Sequence, residues 1–187
     1  MNITIDISNT QLVTPRLLLR PWQAEDLADL HDYASVPGVF ETAGRPHHKS
    51  LAHSQKLLDT YIQNKICFAL YHLKDCRVIG SLELHGSWAA KDARFDHLLV
   101  TELGIIISRN YWGQAIALEA AKAAIHHCFG TLGVDAVTAC HFLDNHQSRR
   151  LIEKCGFSYM QEDMYYSYHT DMEYQEKQYI LFRACSH

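Results

Sequence analysis

The chain has 187 residues, 48% of them hydrophobic and 20% charged, with a formal net charge of −4. That length suits a single domain with one core, taken here as residues 1–187. The acidic balance and the lack of any Lys/Arg run argue against nucleic acid as a partner, because such binding draws on cations set against phosphates.

No apolar stretch approaches the ~20 residues that a membrane helix needs. The first residues, Met1 to Asp6, lack the basic start and apolar middle of a signal peptide. A cytoplasmic protein with no membrane partner is expected. Six scattered cysteines without a C-x-x-C pair read as reduced, mostly buried thiols. Thirteen histidines raise the question of a metal. The adjacent pair His126-His127 would point about 100° apart on a helix, and no H-E-x-x-H spacing occurs, so no metal is expected.

In chain order, Leu17 to Arg20 reads as a short strand stopped by Pro21. Gln23 to Ser35 carries Leu27, Leu30 and Ala34 at helical spacing, and Val36-Pro37-Gly38 closes it. A second helix runs from about Leu51 to Asn64. Strands Cys67 to Leu73 and Arg77 to His85 flank a turn at Lys74-Asp75-Cys76. Trp88 to His97 is polar and reads as a loop. Leu98 to Ser108 is a long strand whose unbroken apolar end suggests a central position covered on both faces. Gln114 to Phe129 has an apolar stripe of Leu118, Ala121, Ile125 and Cys128, with Gly130 as its stop. Asp135 to His141 is a strand and Asn145 to Cys155 a helix ended by Gly156. Two tail strands follow, near Ser158 to Tyr166 and Gln178 to Arg183. The mixture predicts an α/β (α+β) sandwich: one mostly antiparallel sheet of about seven strands with helices on both faces.

The chemistry concentrates where the buried strand ends, at Ile105-Ile106-Ile107-Ser108-Arg109-Asn110-Tyr111-Trp112-Gly113-Gln114-Ala115-Ile116-Ala117. A tight turn and small residues lead directly into a helix. Such a helix start offers unpaired N–H groups and a partial positive charge, and small residues let an anion approach them. This makes an anion site, suited to a pyrophosphate; an ordinary strand-to-helix connection with a turn glycine is the alternative.

Tyr111 to Ala120 resembles the acetyl-CoA signature of the GNAT N-acetyltransferase superfamily, and more narrowly the branch of the ribosomal-protein N-terminal (alanine/serine) acetyltransferases. Three further blocks resemble that branch in the right order: Thr14 to Trp22, Val78 to Leu82, and Asn145 to Phe157. The likeness runs from about Gln11 to the tail, roughly residues 11–185. It implies the GNAT fold, with its fourth and fifth strands splayed and acetyl-CoA as cosubstrate. N–H groups of Trp112, Gly113, Gln114, Ala115, Ile116 and Ala117 would hold the pyrophosphate. Backbone groups of Ile105, Ile106 and Ile107 would hold the pantetheine arm, and Asn145 would reach the cofactor from its helix start. The superfamily pattern has Gln or Arg, then Gly three positions later, where this chain has Trp112 and Ala115. Helical dihedrals are expected at Ala115, where alanine costs nothing.

Acetyl transfer to an amine needs a neutral amine, donors for the oxyanion, and a proton for the departing thiolate. Many superfamily members use a Tyr as the acid, but the matching residue here is Ile152. Ser148, one turn earlier on the same face, is the acid that the resembling branch implies; its alternative is a plain first-turn residue behind an Asn145 cap. Glu102 is the candidate base, sharing a strand face with Gly104; a surface glutamate is the alternative. No cysteine has a convincing base partner, so direct transfer is favoured over an acyl-enzyme. Phe40, Glu41, the His47-His48 loop, Trp88 and the Tyr159/Tyr165/Tyr166/Tyr168 group are candidate acceptor contacts; half-buried strand packing is the alternative for the tyrosines.

The acceptor is expected to be a protein N-terminal amine. A small amine (polyamine, amino acid or antibiotic) or a non-catalytic CoA-binding module are the competing readings. A homodimer formed through the tail from Tyr159 is also expected.

Overall fold

The computed structural model describes residues 1–184. Cys185, counted among the expected thiols, lies outside them. The strands are β1 (Leu12–Val13), β2 (Leu17–Pro21), β3 (Cys67–His72), β4 (Arg77–His85), β5 (Val100–Ile107), β6 (Ala136–Phe142), β7 (Ser158–Ser167) and β8 (Met172–Phe182). The helices are α1 (Leu27–Ala34), α2 (Leu51–Asn64), α3 (Ile116–Gly130) and α4 (His146–Lys154). The sheet has eight strands in the order β1-β2-β3-β4-β5-β6-β8-β7, and its named pairs are antiparallel except for β5 with β6.

Helices cover both faces. Leu19, Phe68, Leu70, Ile79 and Leu82 pack with Ile116, Ala120 and Ala124 of α3 on one side. Leu30, Tyr33 and Leu58, from α1 and α2, pack with Cys67, Ala69 and Val78 on the other. The sandwich expected from the alternating elements is therefore present. Differences fall at the edges. The first predicted helix opens with a 3-10 turn, Ala24–Asp26, and the polar Trp88 segment holds another, Trp88–Lys91. Strand β8 starts six positions before the predicted Gln178. Its first part, Met172 to Lys177, is half or fully exposed, so the apolar run that marks a buried strand is missing there. Among the described cysteines none is paired: Cys67 and Cys128 are buried, Cys140 and Cys155 half-buried, Cys76 exposed. No described helix is long and apolar enough to cross a membrane. Among the described residues no group of three or more His, Cys, Asp or Glu is placed to hold a metal.

One buried ion pair ties β2 to the start of α1. Arg20 Nη1 and Nη2 donate to Asp26 Oδ2 and Oδ1 at 2.7 and 2.8 Å, and the Gln23 N–H donates to Asp26 Oδ2 at 2.8 Å. Both residues are under 9% exposed. Removing one member strands the other charge out of water. Asp26→Ala is expected to lower stability by about 3–5 kcal/mol, read from urea unfolding.

The loop from Val36 to Ser50 is held by buried His48. Its Nδ1 lies 2.8 Å from Ser54 Oγ, and its N–H donates to the Ala34 carbonyl at 2.8 Å. Burial, and then the neighbouring His53 and His31, push the His48 pKa down to about 4. A folded-state value below the ordinary one means that the unfolded chain binds the extra proton first. The stabilisation is whole above about pH 6.5 and drains away as pH falls toward 4. Urea midpoints are expected to fall across that window, and His48→Gln is expected to flatten part of the fall.

Candidate active site

Strands β5 and β6 pair in parallel at three positions only, Val100 with Ala136, Thr101 with Val137 and Glu102 with Thr138. Beyond Glu102 the strands part, while β5 stays paired with β4 as far as Ile107 opposite Gly80. Residues 103–107 therefore have a partner strand on one side and a gap on the other. Alternate residues of a strand present their N–H and C=O sideways, so part of this backbone faces the gap. This is the splay expected between the fourth and fifth strands of the resembling fold, here β5 and β6 in this chain's count. Within the predicted Ile105–Ile107 set, the Ile107 carbonyl is engaged, accepting Trp112 Nε1–H at 2.8 Å.

The turn after β5 leads into α3. Gly113 has φ 75° and Ala115 φ 59°, both left-handed, with Gln114 between them. Among the described residues, the N–H groups of residues 113–118 have no acceptor within the chain; the first one satisfied is Glu119, bonded to the Ala115 carbonyl at 3.1 Å. Two left-handed residues flanking the helix start turn successive N–H groups to one side, which is a nest for an anion. A Cβ built on Gly113 would meet nothing within 4 Å, so its surroundings are open and its dihedral alone calls for glycine. The turn thus fits a diphosphate at Gly113, Gln114, Ala115, Ile116 and Ala117. Trp112 is a departure from the predicted set, because its N–H is already bonded to the Arg109 carbonyl at 3.2 Å.

Ala115 corrects the expectation of helical dihedrals: it is the N-cap of α3 in the left-handed region, at φ 59° and ψ 16°. Neighbouring contacts hold it there. Arg16 Nη1 donates to the Gln114 carbonyl at 2.9 Å, fixing the peptide that precedes Ala115. Arg16 is itself held by Glu119, whose carboxylate accepts Arg16 Nε–H at 2.6 Å, the Arg16 N–H at 2.9 Å and the Thr14 hydroxyl at 2.6 Å. From the other side, Tyr111 donates its hydroxyl to Asp75 Oδ2 at 2.6 Å. Burial and that carboxylate push the Tyr111 pKa up to about 12, so it stays a donor.

The candidate acid lies on α4. Asn145 caps this helix, its Oδ1 accepting the Ser148 N–H at 3.0 Å, while its Nδ2 donates to the Thr42 carbonyl at 3.2 Å. Both ends of the amide are thus in structural use. Ser148 is half-buried on the face that also carries buried Ile152, and its hydroxyl has no partner among the described residues. A cavity of about 420 Å³ is lined by His146, Arg149, Arg150 and Glu153, exposed residues of α4 that belong to neither the turn nor the strand gap.

The candidate base, Glu102, stands at the last paired position, in register with Thr138 and Ile180. In-register residues share a sheet face, and this is the face covered by α1 and α2. Thr138 Oγ1 lies 2.8 Å from Glu102 Oε2. Glu83, opposite Gly104, lies on the same face, as do Cys140 and Glu176 further along β6 and β8. Burial first, then Glu102 and Glu176, push the Cys140 thiol far up, which disfavours its thiolate form. Burial also raises Glu176, against a hydrogen bond from Gln178 and with Glu102 adding to the rise.

The predicted acceptor contacts fare unevenly. Phe40 is wholly buried, its ring centroid 5.9 Å from that of Tyr33 and 5.0 Å from that of His48, so it supports the loop and touches no acceptor. Glu41 staples its own loop, accepting the Gly38 N–H at 2.8 Å and facing His47 Nδ1 at 2.7 Å. Trp88 packs edge-on against Phe95 in a small cluster with Val100, Ala136 and Ile180. Tyr159 pairs with Tyr179, whose side chain faces the α3 and α4 layer, so it lies on the face opposite Glu102. Of the tyrosine group, Tyr165 lies on the Glu102 face, beside Phe142 and Tyr174, which sequence reasoning did not name. Phe142 stacks on Tyr174 with centroids 4.6 Å apart and lies 5.8 Å from Tyr165. The loop beside them is clasped by Ser167, whose hydroxyl donates to the Gly44 carbonyl at 2.6 Å. Glu83 joins Glu102 only through the β4–β5 register, and neither that pairing nor the β6–β8 pairing had a sequence signal.

A left-handed alanine is strained, and glycine at the same place is not. Ala115→Gly is expected to raise stability by about 1 kcal/mol in thermal melts, with coenzyme A binding by calorimetry equal or tighter.

Residues 16–158 match the family model described as "Acetyltransferase (GNAT) domain". An uncharacterized N-acetyltransferase of Bacillus subtilis, YoaA, is 25% identical over 177 residues, covering 92% of this chain and 96% of that protein. A spermidine N-acetyltransferase from Vibrio cholerae, solved with CoA and spermine, superposes with TM-score 0.71 at 18% identity, covering 90% of this chain and 96% of that one. The ribosomal-protein-S5-alanine acetyltransferase from Vibrio fischeri gives TM-score 0.68 at 12% identity over 93% and 97% of the two chains. With a strand gap, an anion nest at the following helix and a family model matching most of its length, this chain belongs to the GNAT acetyltransferase family and is an acetyl-CoA-dependent acetyltransferase.

Proposed function

We propose that this enzyme acetylates a primary amine by direct attack, and that the amine is the N-terminal α-amino group of a protein. The observation that carries this reading is the placement of Glu102 at the last paired residue before β5 and β6 part. A carboxylate there sits at the mouth of the gap in which the thioester arm would lie. Acetyl-CoA supplies a carbonyl carbon for the amine to attack and a thiolate that leaves.

Glu102 takes the proton that the attacking nitrogen must lose. A protein α-amino group, with an ordinary pKa of about 7.7–8.0, needs only such a modest base, whereas lysine at about 10.4 asks for more. Backbone N–H groups of β5 near Ile105 face the developing oxyanion. The Ser148 hydroxyl donates a proton to the departing sulfur. Gly104 keeps the acceptor side of β5 clear: the nearest atom a Cβ there would meet is His85 Nε2, at 3.4 Å. The four sequence blocks that resemble the ribosomal-protein branch support an N-terminal acceptor.

A small polycationic amine is the second reading. It is favoured by Glu83, Glu102 and Glu176 sharing one sheet face, and by the spermidine acetyltransferase among the structural neighbours.

Thiol release from acetyl-CoA, measured against N-terminal peptides beginning with Ala or Ser and against spermidine and other small amines, separates the readings. Peptides are expected to turn over with the higher kcat/KM; turnover of the polyamine alone would select the second. Glu102→Gln is expected to lower kcat about 100-fold and Ser148→Ala about tenfold or more, with coenzyme A binding unchanged in calorimetry. Wild-type rates in either variant would remove that residue from its role.

A further inference from the structure

The polar groups behind Glu102 form a chain whose hydrogen-bond directions have one consistent solution. Ser87 Oγ accepts the Ala89 N–H at 3.1 Å and lies 2.8 Å from Thr138 Oγ1. Thr138 Oγ1 in turn lies 2.8 Å from Glu102 Oε2. Ser87 is 2% exposed and Thr138 0%. An ionised carboxylate only accepts, so the single Thr138 proton points at Glu102. The Thr138 oxygen is then left as acceptor for Ser87, whose own oxygen already holds the Ala89 N–H. The other acceptor near Thr138, the Thr101 carbonyl, is at 3.5 Å. Turning the proton that way would set two oxygens lone pair to lone pair at 2.8 Å beside Glu102. The segment carrying Ser87 is fixed in turn, because the Ser87 N–H donates to Asn2 Oδ1 at 2.7 Å.

From this geometry we infer that Thr138 and Ser87 are positioning residues for the acetyl-transfer step, holding the Glu102 carboxylate aimed at the acceptor amine. The inference rests on the proposal that Glu102 is the base. The chain engages Oε2, so the proton leaving the amine nitrogen is taken by Oε1 as the new N–C bond forms. Aligned O–H dipoles in a dry interior strengthen one another, and a donor to a charged group counts for more than one between neutral groups. In-register neighbours at the last paired position keep the distance constant, because both side chains stand on rigid strands and not on loops.

The test is steady-state kinetics on the full chain, with Thr138→Val, Thr138→Ser, Ser87→Ala and Glu102→Gln, each checked for folding by circular dichroism. Valine keeps the shape of threonine and removes the donor; serine keeps the donor. Thr138→Val is expected to lower kcat roughly tenfold to a hundredfold, the range for losing a hydrogen bond to a charge, with KM for acetyl-CoA unchanged. Thr138→Ser is expected to restore most of the rate. Adding Thr138→Val to Glu102→Gln is expected to cost nothing further, since the carboxylate being aimed is gone. A slowed Glu102→Gln beside a Thr138→Val at wild-type kcat would overturn the relay alone. So would a double variant showing the full product of the two losses. Wild-type kcat in Glu102→Gln would remove the base assignment and the relay with it. Should Thr138→Val fail to fold, Ser87→Ala carries the test: a fall in kcat at constant KM is expected, and wild-type kcat overturns the inference.

Discussion

Between β5 and β6 the hydrogen-bond ladder runs for three residue pairs and then stops, and the working parts of the molecule are arranged around that stop. Sideways-facing backbone groups beyond Glu102 lose their strand partner on one side. Such groups are obligatory donors and acceptors, and leaving them unpaired away from water is costly. A ligand with its own amide groups can complete the ladder, so the interruption of the sheet is shaped to take one. The sheet tolerates it because β5 stays paired with β4, and β6 pairs along its whole length with β8.

The same strand delivers the second feature. Once β5 ends at Ile107, the chain must turn into α3 within a few residues, and it does so through two left-handed residues. The second of them, Ala115, is in a conformation that costs an alanine on the order of 1–2 kcal/mol. That local cost is offset by contacts from distant parts of the chain: Arg16 on the Gln114 carbonyl, Glu119 on Arg16, and Asp75 on Tyr111. Strain at a binding turn, held by surrounding structure, leaves N–H groups facing outward with no acceptor of their own. The conformation that exposes these N–H groups is the one that costs the folded chain when the residue is alanine.

Much of the fold was legible because its elements carry strong periodic signals. The apolar end of β5 and the turn at Asp75 follow from local chemistry, and so does most of the α3 stripe: Ala121, Ile125 and Cys128 are buried, while Leu118 is half-buried and Ile116, Ala120 and Ala124 complete the face. The turn into α3 was also legible, since small residues after a buried strand have few other uses. What escaped was of two kinds. Exposed parts of the β7–β8 hairpin carry polar residues on both faces, so no alternation marks where β8 begins. The aromatic cluster of Phe142, Tyr165 and Tyr174 is assembled from three strands, and only Tyr165 was flagged, because no spacing along the chain relates it to the other two. Conversely, Phe40 and Tyr159 looked available because aromatics near a site suggest contact; one is in the core and the other on the far face.

The sequence alone determined the family, the small-residue turn into α3, the strand that carries Glu102, and the helix that carries Ser148, because each is written in a contiguous stretch whose residues interact locally. Tertiary structure alone decided the dihedral of Ala115, the bond from Asn145 to the Thr42 carbonyl, and the Ser87–Thr138–Glu102 chain. Those depend on contacts between residues far apart in sequence, whose register is set by strand pairing across the sheet. A one-residue shift in that pairing would send Thr138 to the other face and leave Glu102 alone.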